Sequence, residues 1–206
     1  TECHLLDPVN NLIRNTIRDF ALENGYPFYD IRNHTGWLRN IIVRYTTTGE
    51  LMVNICINNE AESDRKALLD HLLLKVPAIT TLLYTINPKW NDTIYDLEPQ
   101  VYFGKGFITE KLGHLEFMIS PKSFFQTNTA QAIKLDDVTK DFANLSGSEI
   151  VYDLYCGTGS IGLYVSDKAK KVIGVEVVAD AIEDAKKNAA LNGIEHADFY
   201  AGDVIK

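Results

Sequence analysis

Cysteine is scarce in this chain. Cys3, Cys56 and Cys156 are the only three in 206 residues, odd in number and far apart. There is no disulfide framework to read, and a reducing, cytoplasmic setting is expected. No apolar run approaches the length of a membrane span. The N-terminus lacks the basic-then-apolar pattern of a secretory signal, so no membrane partner is expected. Positive charge is in deficit: 20 Lys and Arg stand against 28 Asp and Glu, a formal net charge of −8. That excludes a nucleic-acid binder held by a broadly basic surface, because phosphate contacts need cations. It leaves room for an enzyme that meets RNA through a local patch or another domain. Repeats, low-complexity tracts and long linkers are also missing.

What is present is centred on one stretch. Glu149-Ile150-Val151-Tyr152-Asp153-Leu154 is apolar and β-prone. Gly157, Gly159 and Gly162 follow, and then a helix-compatible run to Lys168. A strand that turns through glycines into a helix lets the backbone approach a ligand. A tight βα turn without a ligand would look the same. The context argues for a nucleoside-type cofactor: Val172-Ile173-Gly174-Val175-Glu176 reads as a second strand ending in an acid, about twenty residues past the glycines, where a ribose-binding acid sits in such folds.

The remaining periodicity gives two domains. Asp7 caps a helix that starts at Pro8, carries Val9, Leu12, Ile13, Ile17, Phe20 and Ala21 on one side, and ends at Gly25. Trp37–Tyr45 and Leu51–Ile57 form a hairpin around Thr46–Glu50. A helix over Asp64–Lys75 and strands at Ile79–Ile86, Thr93–Leu97 and on either side of Leu112-Gly113 complete an antiparallel α+β domain over residues 1–121. From residue 122 the pattern changes. A helix over Ala130–Leu145, with Ala132, Ile133, Leu135, Val138 and Phe142 as its apolar side, precedes strand, helix, strand, helix over Val178–Leu191, and a third strand near Asp198–Ala201. Residues 122–206 thus read as the first part of a Rossmann-like α/β domain, truncated after about three strands where about five or more are usual. The expectation is a piece of a longer protein, with an open edge on the first strand and either self-association through it or a disordered C-terminal end.

Two cofactors compete for the glycine turn. Gly157-Thr158-Gly159-Ser160-Ile161-Gly162 satisfies the dinucleotide pattern G-x-G-x-x-G, in which a pyrophosphate meets backbone N–H groups. S-adenosyl-L-methionine is instead a cation at sulfur without phosphate. Asp153 would meet its ammonium end, Glu176 its ribose and Asp203 its adenine amino group. A carboxylate at position 153 would repel a pyrophosphate, so the acids favour the methyl donor.

Asp153-Leu154-Tyr155-Cys156-Gly157-Thr158-Gly159-Ser160-Ile161-Gly162-Leu163 resembles the first motif of class I methyltransferases, and Gly174 to Gly193 resembles their second motif and helix. Ser120-Pro121-Lys122-Ser123-Phe124-Phe125-Gln126-Thr127-Asn128 resembles the start of the catalytic domain of the RNA uracil-5-methyltransferases, which form 5-methyluridine in ribosomal and transfer RNA. Gly36-Trp37-Leu38-Arg39 fits the domain before it. The resemblance implies that Gln126, Tyr155 and Glu176 contact S-adenosyl-L-methionine, that Gly157 and Gly159 shape the loop, and that RNA is the partner of the whole protein. Glu2-Cys3-His4-Leu5-Leu6 resembles the last of four cysteine sites that hold an iron–sulfur cluster in many members. Cys3 is then a cluster ligand in the parent, and no cluster is expected here, since one thiolate cannot complete it.

The family's nucleophilic cysteine and its base are expected beyond Lys206. No catalytic residue is assigned within the chain, and it is expected to be inactive alone. Cys56 and Cys156 stand in no matching motif. The competing readings are an NAD-dependent oxidoreductase and a non-catalytic RNA-binding module on a degenerate methyltransferase fold.

Overall fold

The structure is a computed structural model that describes residues 3, 4 and 6–204. Glu2 and Leu5 of the N-terminal pentapeptide, and Lys206, lie outside the described residues. The chain divides into two compact units, Thr1–Ile108 and Thr109–Lys206. The boundary falls before the hairpin around Gly113, which the sequence reading assigned to the first domain.

The first unit opens with helix α1, Pro8–Glu23. The Asp7 carboxylate accepts the Val9 N–H at its start, and Ile13, Ile17 and Ala21 are buried. Leu12, predicted on the same side, is exposed. Strands β1 (Leu38–Tyr45) and β2 (Leu51–Ile57) form the predicted antiparallel hairpin. Helix α2 (Glu62–Lys75) buries Leu68, Leu69 and Leu72 and leads into β3 (Thr81–Ile86). β3 pairs with β2 in parallel, and β4 (Gln100–Phe103) closes the sheet order β1-β2-β3-β4. The sheet is therefore mixed and not antiparallel throughout, because a crossover helix returns the chain to the same end before the next strand.

The strand expected at Thr93–Leu97 is absent. The buried Arg39 guanidinium, on β1, donates to the carbonyls of Asn87 (2.9 Å), Lys89 and Asn91 (3.0 Å) and pairs with Asp92 (3.0 Å). Those carbonyls hold residues 87–92 as a loop around a cation; just after it the Leu97 N–H turns back to the Ile94 carbonyl at 3.0 Å, and the fourth strand forms only beyond that turn.

In the second unit, β5 (Ile108–Leu112) and β6 (Leu115–Ile119) form a hairpin. Helix α3 (Thr129–Ala143) is capped by Asn128, whose side chain accepts the Gln131 N–H. Strands β7 (Ile150–Leu154), β8 (Lys171–Glu176) and β9 (Ala197–Ala201) form a parallel sheet in that order, linked by α4 (Ser160–Val165) and α5 (Ala179–Leu191). β7 lies at an edge of the described sheet, with Ile150, Tyr152 and Leu154 exposed.

Helix α3 departs from its predicted amphipathicity. Its buried residues are Thr129, Ala132 and Asp136, while Leu135, Val138 and Phe142 are exposed, Phe142 to 88%. The helix packs against α4, which selects a partly polar side and leaves the apolar stripe uncovered by the described residues.

Candidate cofactor site

The site is built where β7 runs into the glycine loop. Tyr155, the first residue after β7, has φ +63°. A left-handed conformation costs a side-chain-bearing residue roughly 1–2 kcal/mol. It is held there because the Tyr155 and Cys156 N–H groups both donate to the Val175 carbonyl, at 2.8 and 3.1 Å. The strained turn leaves the Tyr155 ring 66% exposed in relative terms for the residue, on the wall of a cavity of about 150 Å³. Phe125, Gln126, Asp136, Asp153 and Gly157 also line it, and no Lys, Arg or His does.

The three glycines have different roles. Gly157 (φ +54°) has open space where a Cβ would stand, and it faces the cavity. Gly159 (φ +79°) is turned to the core: a Cβ there would lie 2.9 Å from the Phe199 ring. Gly162 is needed for close approach. Its N–H donates to Asp153 Oδ2 at 2.8 Å, and a Cβ would lie 2.8 Å from that oxygen.

Glu176, at the end of β8, closes the loop from the other side. Its Oε2 accepts the Gly157 N–H at 3.3 Å and its Oε1 the Val178 N–H at 3.0 Å. Each oxygen keeps a lone pair for a further donor. Asp203 follows β9 in the next turn, which the Gly202 N–H ties to the Glu176 carbonyl at 2.9 Å. The structure thus brings Gln126, Asp153, Tyr155 and Gly157 to one cavity. It places Glu176 on the loop that borders this cavity and Asp203 one turn from Glu176, with Gly159 packed behind.

Burial sets the chemistry of the thiols. Cys156, buried beside Asp153 and Glu176, is pushed up to about 12, and Cys56, buried on β2, to about 11. A nucleophilic cysteine needs the opposite shift, so both act as packed thiols. Cys3 is half-buried. Its N–H donates to Asn11 Oδ1 (2.9 Å) and its carbonyl accepts from Asn11 Nδ2 (3.0 Å). Among the described residues no group of three His, Cys, Asp or Glu is placed to hold a metal. Cys3 alone is one thiolate of the several that an iron–sulfur cluster needs.

Two residues missed by sequence reading hold the site together, and a third lines its cavity. Asp184 on α5 is buried and accepts from the hydroxyls of both Ser120 and Ser123. This latch pins the segment that carries Gln126. Asn188, one helical turn on, accepts the Met118 N–H at 2.7 Å and donates to the Thr158 carbonyl at 3.3 Å, joining β6 to the glycine loop. Asp136 lies in the cavity wall. The signal for the latch was the Ser120–Ser123 spacing, readable only with its partner known. Asp184→Ala is expected to destabilise the second unit by about 2–4 kcal/mol, since two hydrogen bonds to a buried carboxylate are lost. Urea denaturation measures this, and a change within about 0.5 kcal/mol would remove the latch from the account.

Comparison with known proteins fits this geometry. Residues 145–206 match the family described as Methyltransferase domain. The chain is 50% identical over 206 residues to an uncharacterised RNA methyltransferase of Bacteroides thetaiotaomicron, covering 98% of this chain and 45% of that protein. It is 47% identical to one of Porphyromonas gingivalis, covering 98% and 44%. The structure of the Pyrococcus abyssi tRNA (uracil-54, C5)-methyltransferase in complex with S-adenosyl-L-homocysteine is similar with a TM-score of 0.74 and 28% identity, covering 92% of this chain and 45% of that one. The second unit is a Rossmann-like methyltransferase domain. It is preceded by a mixed-sheet region, and the chain as a whole is homologous to RNA methyltransferases. It spans less than half the length of the curated relatives it matches.

Among the described residues, no helix of this methyltransferase homologue is long and apolar enough to cross a membrane.

Proposed function

We propose that the chain carries the S-adenosyl-L-methionine half-site of an RNA methyltransferase whose whole length methylates uracil at C5. One observation carries the cofactor reading. Three glycine amides of the loop are taken by the protein's own acceptors: Gly157 N–H by Glu176, Gly162 N–H by Asp153, and Gly159 N–H by the Cys156 carbonyl. The cavity beside them holds carboxylates and no cation. A dinucleotide phosphate meets two repulsive carboxylates there and no cation; a sulfonium with an ammonium end meets two attractive ones.

S-adenosyl-L-methionine, when bound, supplies the methyl group on a cationic sulfur. The chain's residues bind and orient it. Glu176 accepts from the ribose hydroxyls, Asp203 from the adenine amino group, and Gln126, Asp153, Tyr155 and Gly157 enclose the amino-acid end, with Gly159 fixing the loop. The uracil reading rests on Phe125-Gln126-Thr127-Asn128 and on the solved tRNA methyltransferase, at 28% identity. RNA is the partner of the whole protein, and no residue of this chain is proposed as nucleophile or base.

Calorimetric titration of the chain tests the reading. S-adenosyl-L-homocysteine is expected to bind and NAD is not. Binding of NAD alone would overturn the assignment. Methyl transfer to uridine-containing RNA is expected of the whole protein and not of this chain; turnover by the chain alone would place the reacting groups within it.

A further inference from the structure

The cavity holds one polar group that the reading above does not use. Asp136 projects from α3 into the cavity wall and is only 6% exposed. Among the described residues, no hydrogen bond or ion pair reaches its carboxylate, which opens only to the cavity. The groups that act on it are Asp137 on its own helix and Asp153 on β7, both acids. Tyr164 on α4 is also within electrostatic reach, but its hydroxyl is committed to Asp137 at 2.7 Å. Lys140, one turn along α3, is paired with Asp167. Asp153 has its single hydrogen bond on Oδ2, from Gly162. Burial pushes both carboxyls above the usual carboxylate range, with like charge adding to the shift at Asp136.

A buried carboxylate without a donor is costly and is not retained for stability. Asp136 without a donor, beside Asp153 with the single Gly162 donor, makes on one small cavity a place that a cation with several N–H donors would complete. A divalent metal is the poorer occupant, since it takes six or more oxygen ligands and two side chains do not supply them. A primary ammonium has three donors and one positive charge. We infer that Asp136 and Asp153 form a two-carboxylate seat for the primary ammonium at the amino-acid end of the cofactor, with Asp136 a binding residue in its own right. The inference rests on the S-adenosyl-L-methionine reading. It assigns the ammonium to the α3 side of the glycine loop, opposite the Glu176 side.

The seat predicts opposite effects on stability and binding. In the unbound protein Asp136 holds its proton more tightly than in the unfolded chain. The folded state therefore binds more protons between the two pKa values, and its stability falls as pH rises through the folded value. Asp136→Asn removes the buried charge. It is expected to raise the melting temperature of the unbound protein at neutral pH and to flatten its dependence on acid pH. The same substitution is expected to weaken S-adenosyl-L-homocysteine about ten- to a hundredfold, the effect of losing a hydrogen bond to a charged group. It should leave 5′-methylthioadenosine, which has the nucleoside and no ammonium, unchanged.

Calorimetry of wild type and Asp136→Asn with both ligands, in two buffers of different ionisation enthalpy, reads all of this. Proton release on binding S-adenosyl-L-homocysteine at acid pH, diminished in the variant, supports the seat. Equal affinity of the two proteins for S-adenosyl-L-homocysteine overturns it. So does equal weakening of both ligands, or a variant less stable than wild type, because either makes Asp136 structural. If wild type binds neither ligand, the cofactor reading itself falls. That result is distinct from a wild type that binds and a variant that binds equally.

Discussion

Glu176→Ala is expected to weaken S-adenosyl-L-homocysteine by about a hundredfold or more, the largest binding effect of any single substitution at the site. The carboxylate has two tasks. Its oxygens accept the Gly157 and Val178 N–H groups and so fix both the glycine loop and the start of α5. Each oxygen keeps a lone pair for the ribose hydroxyls that the proposed reading places there. Each hydrogen bond to a charged acceptor contributes about 1.5–3 kcal/mol, so losing two from the ligand amounts to about two to four orders of magnitude in affinity. Glu176→Gln separates the tasks. The amide keeps one acceptor and offers a donor, so one loop contact survives and one ribose contact is lost, giving an intermediate affinity. Titration calorimetry of the three proteins decides the matter. An alanine variant that binds within about threefold of wild type would move the ribose elsewhere.

The contrast between Glu176 and Asp136 shows what a sequence discloses. Glu176 was legible because its position is set by local rules: a β-prone run, an acid at its end, and a glycine turn about twenty residues before it. The same locality made α1 readable from Asp7 and Pro8, and the β1–β2 hairpin from its β-branched runs. Asp136 was not legible, because its apolar neighbours Leu135 and Val138 form the stripe that periodicity favours. That stripe is exposed in the structure, and the helix turns its Thr129–Ala132–Asp136 side inward. Periodicity reports which face is apolar, and tertiary packing decides which face is buried.

Distance in sequence hid the rest. The loop at 87–92 is organised by Arg39, far upstream, and the strand expected just after it at Thr93–Leu97 gives way to a turn. The parallel pairing of β2 with β3 depends on α2 acting as a crossover, which a list of elements does not reveal. The Ser120–Ser123–Asp184 latch joins two segments that each look ordinary alone. What sequence placed at the candidate site was the part of the cavity shell carried by one βαβ unit and by the motif at Gln126. The residues that hold this shell rigid come from elsewhere in the unit.

Gly174→Val is expected to unfold the second unit at ambient temperature. Gly174 lies in the middle of β8, opposite Asp153 on β7 and Phe199 on β9. Its backbone is ordinary extended strand, so the consequence is purely one of space. A Cβ there would lie 2.4 Å from Phe199 Cδ1, 2.7 Å from Cε1 and 2.9 Å from Cys156 Sγ. The ring cannot retreat, because the same Phe199 edge would be 2.9 Å from a Cβ at Gly159. Two glycines form the slot that one phenylalanine fills, and this slot sits directly beneath the glycine loop. Overpacking a core typically costs about 1–3 kcal/mol where neighbours can adjust; here both walls are backbone, so even Gly174→Ala should reach about 3 kcal/mol or more. Gly174→Ala combined with Phe199→Leu should recover a good part of that loss, since the smaller side chain vacates the slot. Denaturant unfolding of the two single variants and the double variant measures the coupling directly. Additive losses would show that Phe199 and Gly174 do not share the slot, and the glycine at 174 would then owe its place to something other than packing under the cofactor loop.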